Sequence, residues 1–378
     1  MLLGARFLFD TLIALLAMAL LPGLFDRLFS PAARNLGTTR GLLLALYLVL
    51  AGGAALALRL GVLGPSHEPL TGWRAMGLGL SFTVLGCSLL SNFIPPERPI
   101  ATGRRDFLRS AARLLAVSPA AVAGYGTFIG RHDFRLTEID LPVTGLSRDL
   151  EGLRIVQLSD IHLGPFMSAR ELVRLVDMAN GTRPHLAVVT GDLISDLGDP
   201  LDDALAALKN LKADAGILGC HGNHEIHARA EDYATREGAR LGLRFLRHQS
   251  QLLQFGQAWL NVAGVDHQSE RTGYLRGAEK LVKPGAINLL LSHNPDVFPI
   301  AAQKGFAVTL AGHTHGGQVN LEILRANLNI ATLYTPYTLG LYREGSASIY
   351  VTSGIGTIGV PVRFGAPPEV ALLRLRAT

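Results

Sequence analysis

Charge is scarce in this chain. Of its 378 residues only 17% are Asp, Glu, Lys or Arg while 48% are hydrophobic, a balance that excludes disorder and is too apolar for an ordinary soluble protein of this size. Cysteine is scarcer still. Cys87 and Cys220 stand far apart, the first in an apolar run and the second before a polar cluster, so no disulfide framework beyond one bridge is possible and none is expected. Internal repeats and low-complexity stretches are absent. An even basic surface is lacking too: residues 1–113 hold 11 Lys/Arg against 5 Asp/Glu, and the remainder holds 24 against 25. The formal charge of +5 therefore belongs to the apolar part, and no nucleic-acid partner is expected.

What is present first is length enough for membrane crossing. Four apolar segments cover 7–25, 41–62, 72–94 and, more weakly, 107–129, each near the roughly 20 residues a bilayer requires. Asp10 and Pro22 interrupt the first and Ser118-Pro119 softens the fourth, so either also reads as an interfacial or buried helix. Arg27, Arg34 and Arg40 follow the first segment, and Arg98, Arg104, Arg105 and Arg109 precede the fourth. By the positive-inside rule both basic loops are cytoplasmic, and the N-terminus and everything after residue 130 lie outside. No array of acids or histidines lines the spans, which reads as an anchor and not a transporter. Gly103 to Arg109 also resembles a twin-arginine export signal, although the same arginines would serve topology alone. The expected organisation is an all-α transmembrane anchor of about four helices over 1–130 and a second domain over 131–378. That makes a multi-pass protein of the cell membrane with the second domain on the extracytoplasmic side.

From residue 134 short apolar runs bounded by Gly, Pro, Asn and Asp alternate with helix-like stretches, an α/β pattern. Strands are expected at 153–158, 186–190, 216–220, 259–265, 287–291, 307–311, 348–352 and 370–375. Helices are expected from an N-cap at Ser168 to Asn180, and over 201–211, 231–241 and 295–304.

Chemistry concentrates where five of these strands end. They run into Asp160-Ile161-His162, Gly191-Asp192, Gly222-Asn223-His224-Glu225, Ser292-His293 and Gly312-His313-Thr314-His315. Ligands of α/β sheets bind beyond the carboxyl ends of strands, so these residues can converge. Two carboxylates, one amide oxygen and four imidazoles besides His224, with no thiolate, suit Mn²⁺, Zn²⁺ or Fe and exceed what one tetrahedral ion uses. Two ions bridged by one carboxylate would use them all.

This ordered set resembles the calcineurin-like metallophosphoesterase family over roughly residues 134–378. Gly312 to Gln318, Tyr350 to Gly356 and Pro361-Val362-Arg363 resemble its membrane-attached or exported YkuE-like branch. The resemblance implies a four-layer α/β/β/α sandwich and a metal-dependent phosphoesterase. By its pattern Asp160, His162 and His315 hold a first divalent metal ion, Asn223, His293 and His313 a second, and Asp192 bridges both. His224 is the general acid near the scissile phosphate. The family often has a second acid three residues after the bridging Asp; Ser195 stands there in this chain, followed by Asp196, which leaves open what orients His224. The expected substrate is a phosphodiester or phosphomonoester, a lipid-linked or envelope-derived ester among them. A metal-binding sensory module of the same fold without turnover is the alternative.

Neighbouring residues have quieter readings. Cys220 is expected in the core, and His221 and His227 as local or solvated side chains. Gln318 and Arg363 fit phosphate contact or loop hydrogen bonding equally. The apolar stretch 319–342 reads as a packed flap or as a lid facing acyl chains.

Overall fold

The computed structural model describes residues 122–270, 273–323 and 326–378, without the side chains of 321–328. Cys87 and the expected spans lie outside these residues, apart from the end of the fourth, where 122–128 are helical. Among the described residues no helix is long and apolar enough to cross a membrane.

All described strands fall in one compact unit, residues 130–359 and 363–378. In chain order they are β1 (Arg135–Val143), β2 (Arg154–Leu158), β3 (Leu186–Thr190), β4 (Ile217–Cys220), β5 (Leu243–Phe245), β6 (Gln249–Phe255), β7 (Ala258–Val265), β8 (Ile287–Ser292), β9 (Val308–Ala311), β10 (Asn320–Ile323), β11 (Ala326–Asn329), β12 (Gly340–Glu344), β13 (Ala347–Val351) and β14 (Glu369–Ala377). One sheet has the order β1-β14-β2-β3-β4-β5 and the other β12-β13-β9-β8-β7-β6, with β10-β11 a separate hairpin. Both are mixed: β2 to β5 run parallel and β14 opposes β2, while β7, β8, β9 and β13 run parallel between the opposed edges β6 and β12.

The eight strands expected from the sequence are the eight interior strands of the two sheets, and all four edge strands escaped that reading. An interior strand covered on both faces needs an unbroken apolar run, as in β3, where all five residues of Leu-Ala-Val-Val-Thr are buried. An edge strand is half solvated and takes polar residues at irregular places. β6 reads Gln-Ser-Gln-Leu-Leu-Gln-Phe with one buried residue, and β12 has none.

The sheets pack face to face. Val188, Leu218, Cys220 and Leu373 of the first share a buried cluster with Leu260, Val262, Leu289, Leu291 and Leu310 of the second, each Leu worth about 1.5–3 kcal/mol of burial. The opposite face of the first sheet packs through Val156, Leu158 and Val189 on helices α1 (Ala169–Gly181), α2 (Leu201–Leu208) and α4 (Glu231–Arg240). Ala263, Val265 and Leu290 of the second sheet meet Val297, Ala301 and Phe306, which flank or lie in α5 (Phe298–Gln303).

Helix starts follow local chemistry. Ser168 caps α1 in a reciprocal box: its hydroxyl accepts from Glu171 N at 3.3 Å, and Glu171 Oε2 accepts from Ser168 N at 2.9 Å. The stretch expected as one helix over 295–304 divides into a 3-10 turn, Pro295–Val297, and then α5. The short α3 (Asn223–His227) was not expected from the sequence, because five residues are too few for a periodic signal.

Candidate active site

Every expected site residue lies one to four positions beyond the carboxyl end of a strand: Asp160 and His162 after β2, Asp192 after β3, Asn223 and His224 after β4, His293 after β8, and His313 and His315 after β9. The chain turns sharply there. Asp160, His162, Asp192, His313 and His315 all have left-handed backbones, with φ of 52°, 47°, 55°, 73° and 52°. That conformation costs about 1–3 kcal/mol for a residue with a Cβ, and its clustering marks a functional site. Close approach explains two of the neighbouring glycines. A Cβ on Gly191 would lie 2.5 Å from Gly222 N, and one on Gly312 would lie 2.2 Å from Asp160 Oδ2.

The structure brings the side chains of Asp160, His162, Asp192, His224, His293, His313 and His315 together. His162 Nε2 and His315 Nε2 are 3.1 Å apart, and His315 Nε2 is 3.4 Å from Asp160 Oδ1. Across the site His293 Nε2 lies 3.0 Å from Asp192 Oδ2 and 3.2 Å from His313 Nδ1. The same Asp192 Oδ2 lies 3.6 Å from His162 Nε2, while Oδ1 accepts from His224 N at 3.0 Å. Asp160, His162 and His315, and separately Asp160, Asp192 and His293, offer ligand atoms within 4.8 Å of one another. Asn223 Oδ1 is buried with no hydrogen-bond partner, an acceptor that burial leaves costly unless a cation takes it. These buried His/Asp clusters fit metal binding.

Electrostatics agree with that chemistry at His162, His313 and His315. Burial pulls His162 and His313 down to about 3 and His315 well below its usual value, so these imidazoles are neutral, the form that ligates metal. Burial raises Asp160 to about 6, Asp192 adding to it against His293. For Asp192 burial works upward, but the charge and hydrogen bond of His293 outweigh it and hold the carboxyl well below its usual range. Burial opposes the charge on His293, yet Asp192 lifts it to about 10.

A second layer fixes these groups. His293 Nδ1 donates to Thr190 O at 2.7 Å, turning Nε2 toward Asp192, and His162 Nδ1 meets Ser195 Oγ at 3.1 Å. Such partners set ligand tautomer and orientation. His224 Nδ1 donates to the backbone carbonyl of Ser195 at 2.5 Å. The orienting group whose identity the sequence left open is thus a carbonyl and not an acid. Asp199 holds that carbonyl's loop, its Oδ2 accepting from Ser195 N and Asp196 N at 2.9 Å each.

Three contributors were missed by the sequence reading. Asp199 lies in a loop without a motif. Glu225 is fully buried, and its carboxylate accepts from Gly222 N at 2.8 Å, Asp192 N at 2.9 Å and Leu193 N at 2.7 Å, tying the end of β3 to that of β4. Burial and then Asp192 raise it to about 7. Its place directly after His224 was the available signal. His267 groups with His293 and His313; it follows the end of β7 just as the others follow theirs, and a sixth strand end would have pointed to it.

The remaining residues resolve toward structure. Cys220 is buried in the core between the sheets. His221 stacks on Phe245 and bonds Thr235 Oγ1 at 2.8 Å, and His227 is exposed. Gln318 exchanges two hydrogen bonds with the backbone of Ile358. Arg363 is buried and donates to the carbonyls of Ser353, Gly356 and Ala366, and its Nη2 also lies 3.4 Å from His315 Nδ1 at the edge of the site.

Comparison with known proteins agrees with the geometry. Residues 153–317 match the family described as calcineurin-like phosphoesterase. A zebrafish (Danio rerio) protein called transmembrane protein with metallophosphoesterase domain is 31% identical over 314 residues, covering 78% of this chain and 69% of its own. An uncharacterized metallophosphoesterase of Bacillus subtilis, YkuE, is 29% identical over 290 residues, covering 73% of this chain and 98% of its own. With this relationship over most of both chains and a buried Asp/His cluster at the strand ends, the chain belongs to the calcineurin-like metallophosphoesterase family and is a phosphoesterase.

Proposed function

We propose that the chain is a membrane-anchored phosphoesterase that works with two divalent cations, Mn, Zn or Fe. The observation that carries this reading is the position of Asp192 Oδ2, 3.0 Å from His293 Nε2 and 3.6 Å from His162 Nε2, one imidazole from each ion site of this reading. In this reading Asp160, His162 and His315 hold one ion, Asn223, His293 and His313 the other, and Asp192 both. Bound there, the ions supply Lewis-acid chemistry, offsetting phosphate charge and making water acidic enough to attack near neutral pH. His224 completes the reaction. With Nδ1 committed to the Ser195 carbonyl, protonated His224 presents its Nε2 proton to the departing ester oxygen. The two ions should be lost together when the shared carboxylate is neutralised, and metal counts on Asp192→Asn test this.

The substrate proposed is a phosphodiester or phosphomonoester at the membrane surface, lipid-linked or envelope-derived, outside the cytoplasm. Two observations support it. The zebrafish relative is named a transmembrane protein. Beyond His315, Asn329 Nδ2 ties a short 3-10 turn to Gly316 O at 3.0 Å, and that turn leaves Ile330, Leu333 and the following Tyr334 exposed at 65%, 78% and 81%. The exposure favours the lid reading of this stretch over the packed flap, since nothing in a soluble context rewards three large apolar side chains held in water. Full-length protein should prefer phosphate esters of lipids in mixed micelles over a soluble diester, and Ile330→Ser with Leu333→Ser should erase that preference. Reporter fusions after residue 130 test the topology.

A further inference from the structure

His267 stands at the site without a role. Its ring centroid lies 5.2 Å from that of His313 and 5.9 Å from that of His293, and the three residues offer one nitrogen each within 4.8 Å of one another. Its Nδ1 is buried and has no hydrogen-bond partner. Both neighbours in the chain are pinned by other elements. Arg247 Nε donates to Asp266 Oδ2 at 2.8 Å, Asn294 Nδ2 donates to Gln268 O at 2.9 Å, and Leu275 N donates to Gln268 Oε1 at 2.6 Å. The loop therefore holds an imidazole in place while leaving a buried ring nitrogen unpaired, an arrangement that costs stability unless something at the site accepts the lone pair or takes the proton. His293 does not do so, because its Nδ1 is given to Thr190 O and its Nε2 faces Asp192 Oδ2 and His313 Nδ1.

We propose that His267 is a third imidazole ligand of the cation held by His293 and His313. This rests on the two-metal reading above and extends it. It makes the two sites unequal: the one near His267 has three imidazoles, while the one near Asp160 has two, His162 and His315. Imidazole-rich sites favour Zn²⁺, Fe or Co²⁺ over Mn²⁺, so the two positions differ in the metals they retain.

The test is a Co²⁺ titration of the chelator-stripped full chain in detergent, read by the visible absorption of bound Co²⁺ and by metal counting. Wild type should bind two ions. His267→Ala should weaken one of them by about 10- to 100-fold, the scale seen when groups that support a metal site are removed, and change its absorption band. The second ion should be unaffected. His227→Ala, an exposed imidazole outside the cluster, should change neither. His267→Gln serves as the second variant should the alanine protein fail to fold. In crystals of the Zn²⁺-loaded wild type, a His267 nitrogen at about 2.0–2.1 Å from an ion supports the assignment. Wild-type affinity and an unchanged spectrum in both His267 variants overturn it while leaving the two-metal reading intact. No bound Co²⁺ in wild type overturns both.

Discussion

His224 is aimed by the backbone of Ser195. Its Nδ1 gives its proton to the Ser195 carbonyl oxygen at 2.5 Å, so Nε2 is the nitrogen left to meet substrate. A carbonyl can do what a carboxylate does for orientation while adding no charge. The consequence is measurable. His224→Ala should keep metal content and slow esters with basic leaving groups by about 10²–10⁴, while activated aryl esters lose far less, because proton donation helps in proportion to leaving-group basicity. Rate comparison across a leaving-group series checks this, and equal losses throughout would assign His224 to positioning.

Asp192→Asn should lower turnover at least about a hundredfold and reduce metal content at both positions, since its charge offsets the mutual repulsion of two ions. Elemental analysis beside the kinetics reads the outcome. Retention of two ions with near-normal rates would remove the bridging assignment.

Glu225→Ala should be costly to folding as well as to activity. Four buried N–H groups, those of Gly222, Asp192, Leu193 and, at 3.4 Å, Ile194, lose their acceptor, at about 1–3 kcal/mol each where no water replaces it. Thermal unfolding should fall by several degrees, and metal affinity should fall with it because Asp192 is no longer fixed. An unchanged melting temperature would contradict the role of Glu225 as the tie between β3 and β4.

The cap of α1 carries a pH dependence. Burial works to raise Glu171, but its hydrogen bonds to His132 and Ser168 outweigh this and lower it from 4.5 to about 2. A carboxyl held down by folding adds stability above its unfolded value, and that stability is lost as pH falls toward the folded one. The contribution should therefore be complete above about pH 5 and fade between 4.5 and 2. Glu171→Gln should be less stable than wild type at neutral pH, with the gap closing in acid; a constant gap in urea melts from pH 6 to pH 2.5 would contradict it.

Most of the interior strands and most of the buried Asp/His cluster were legible in the sequence, for connected physical reasons. Interior strands such as β3 and β8 carry uninterrupted apolar runs because both faces are covered, and the clustered Asp and His residues follow strand ends because turns there present side chains into one space. Edge strands β1, β5, β6 and β12 lack such runs, so their pattern matches loops. Ser168 was readable as a cap because capping uses a local rule. The roles of Glu225 and of the Ser195 carbonyl were not, since both depend on loops from different strands meeting in space. His267 follows a readable strand end, but it lies outside the ordered set of Asp, Asn and His motifs that marks the other strand ends.

The most direct test of the account is hydrolysis by the full-length protein, stripped of metal and reloaded stepwise with Mn²⁺, Zn²⁺ or Fe²⁺, on one chromogenic phosphodiester and one phosphomonoester, with bound metal counted in the same samples. The account predicts two ions per chain and hydrolysis of at least one ester that appears as the second ion binds and disappears on chelation. Two bound ions with no hydrolysis of either ester would contradict it.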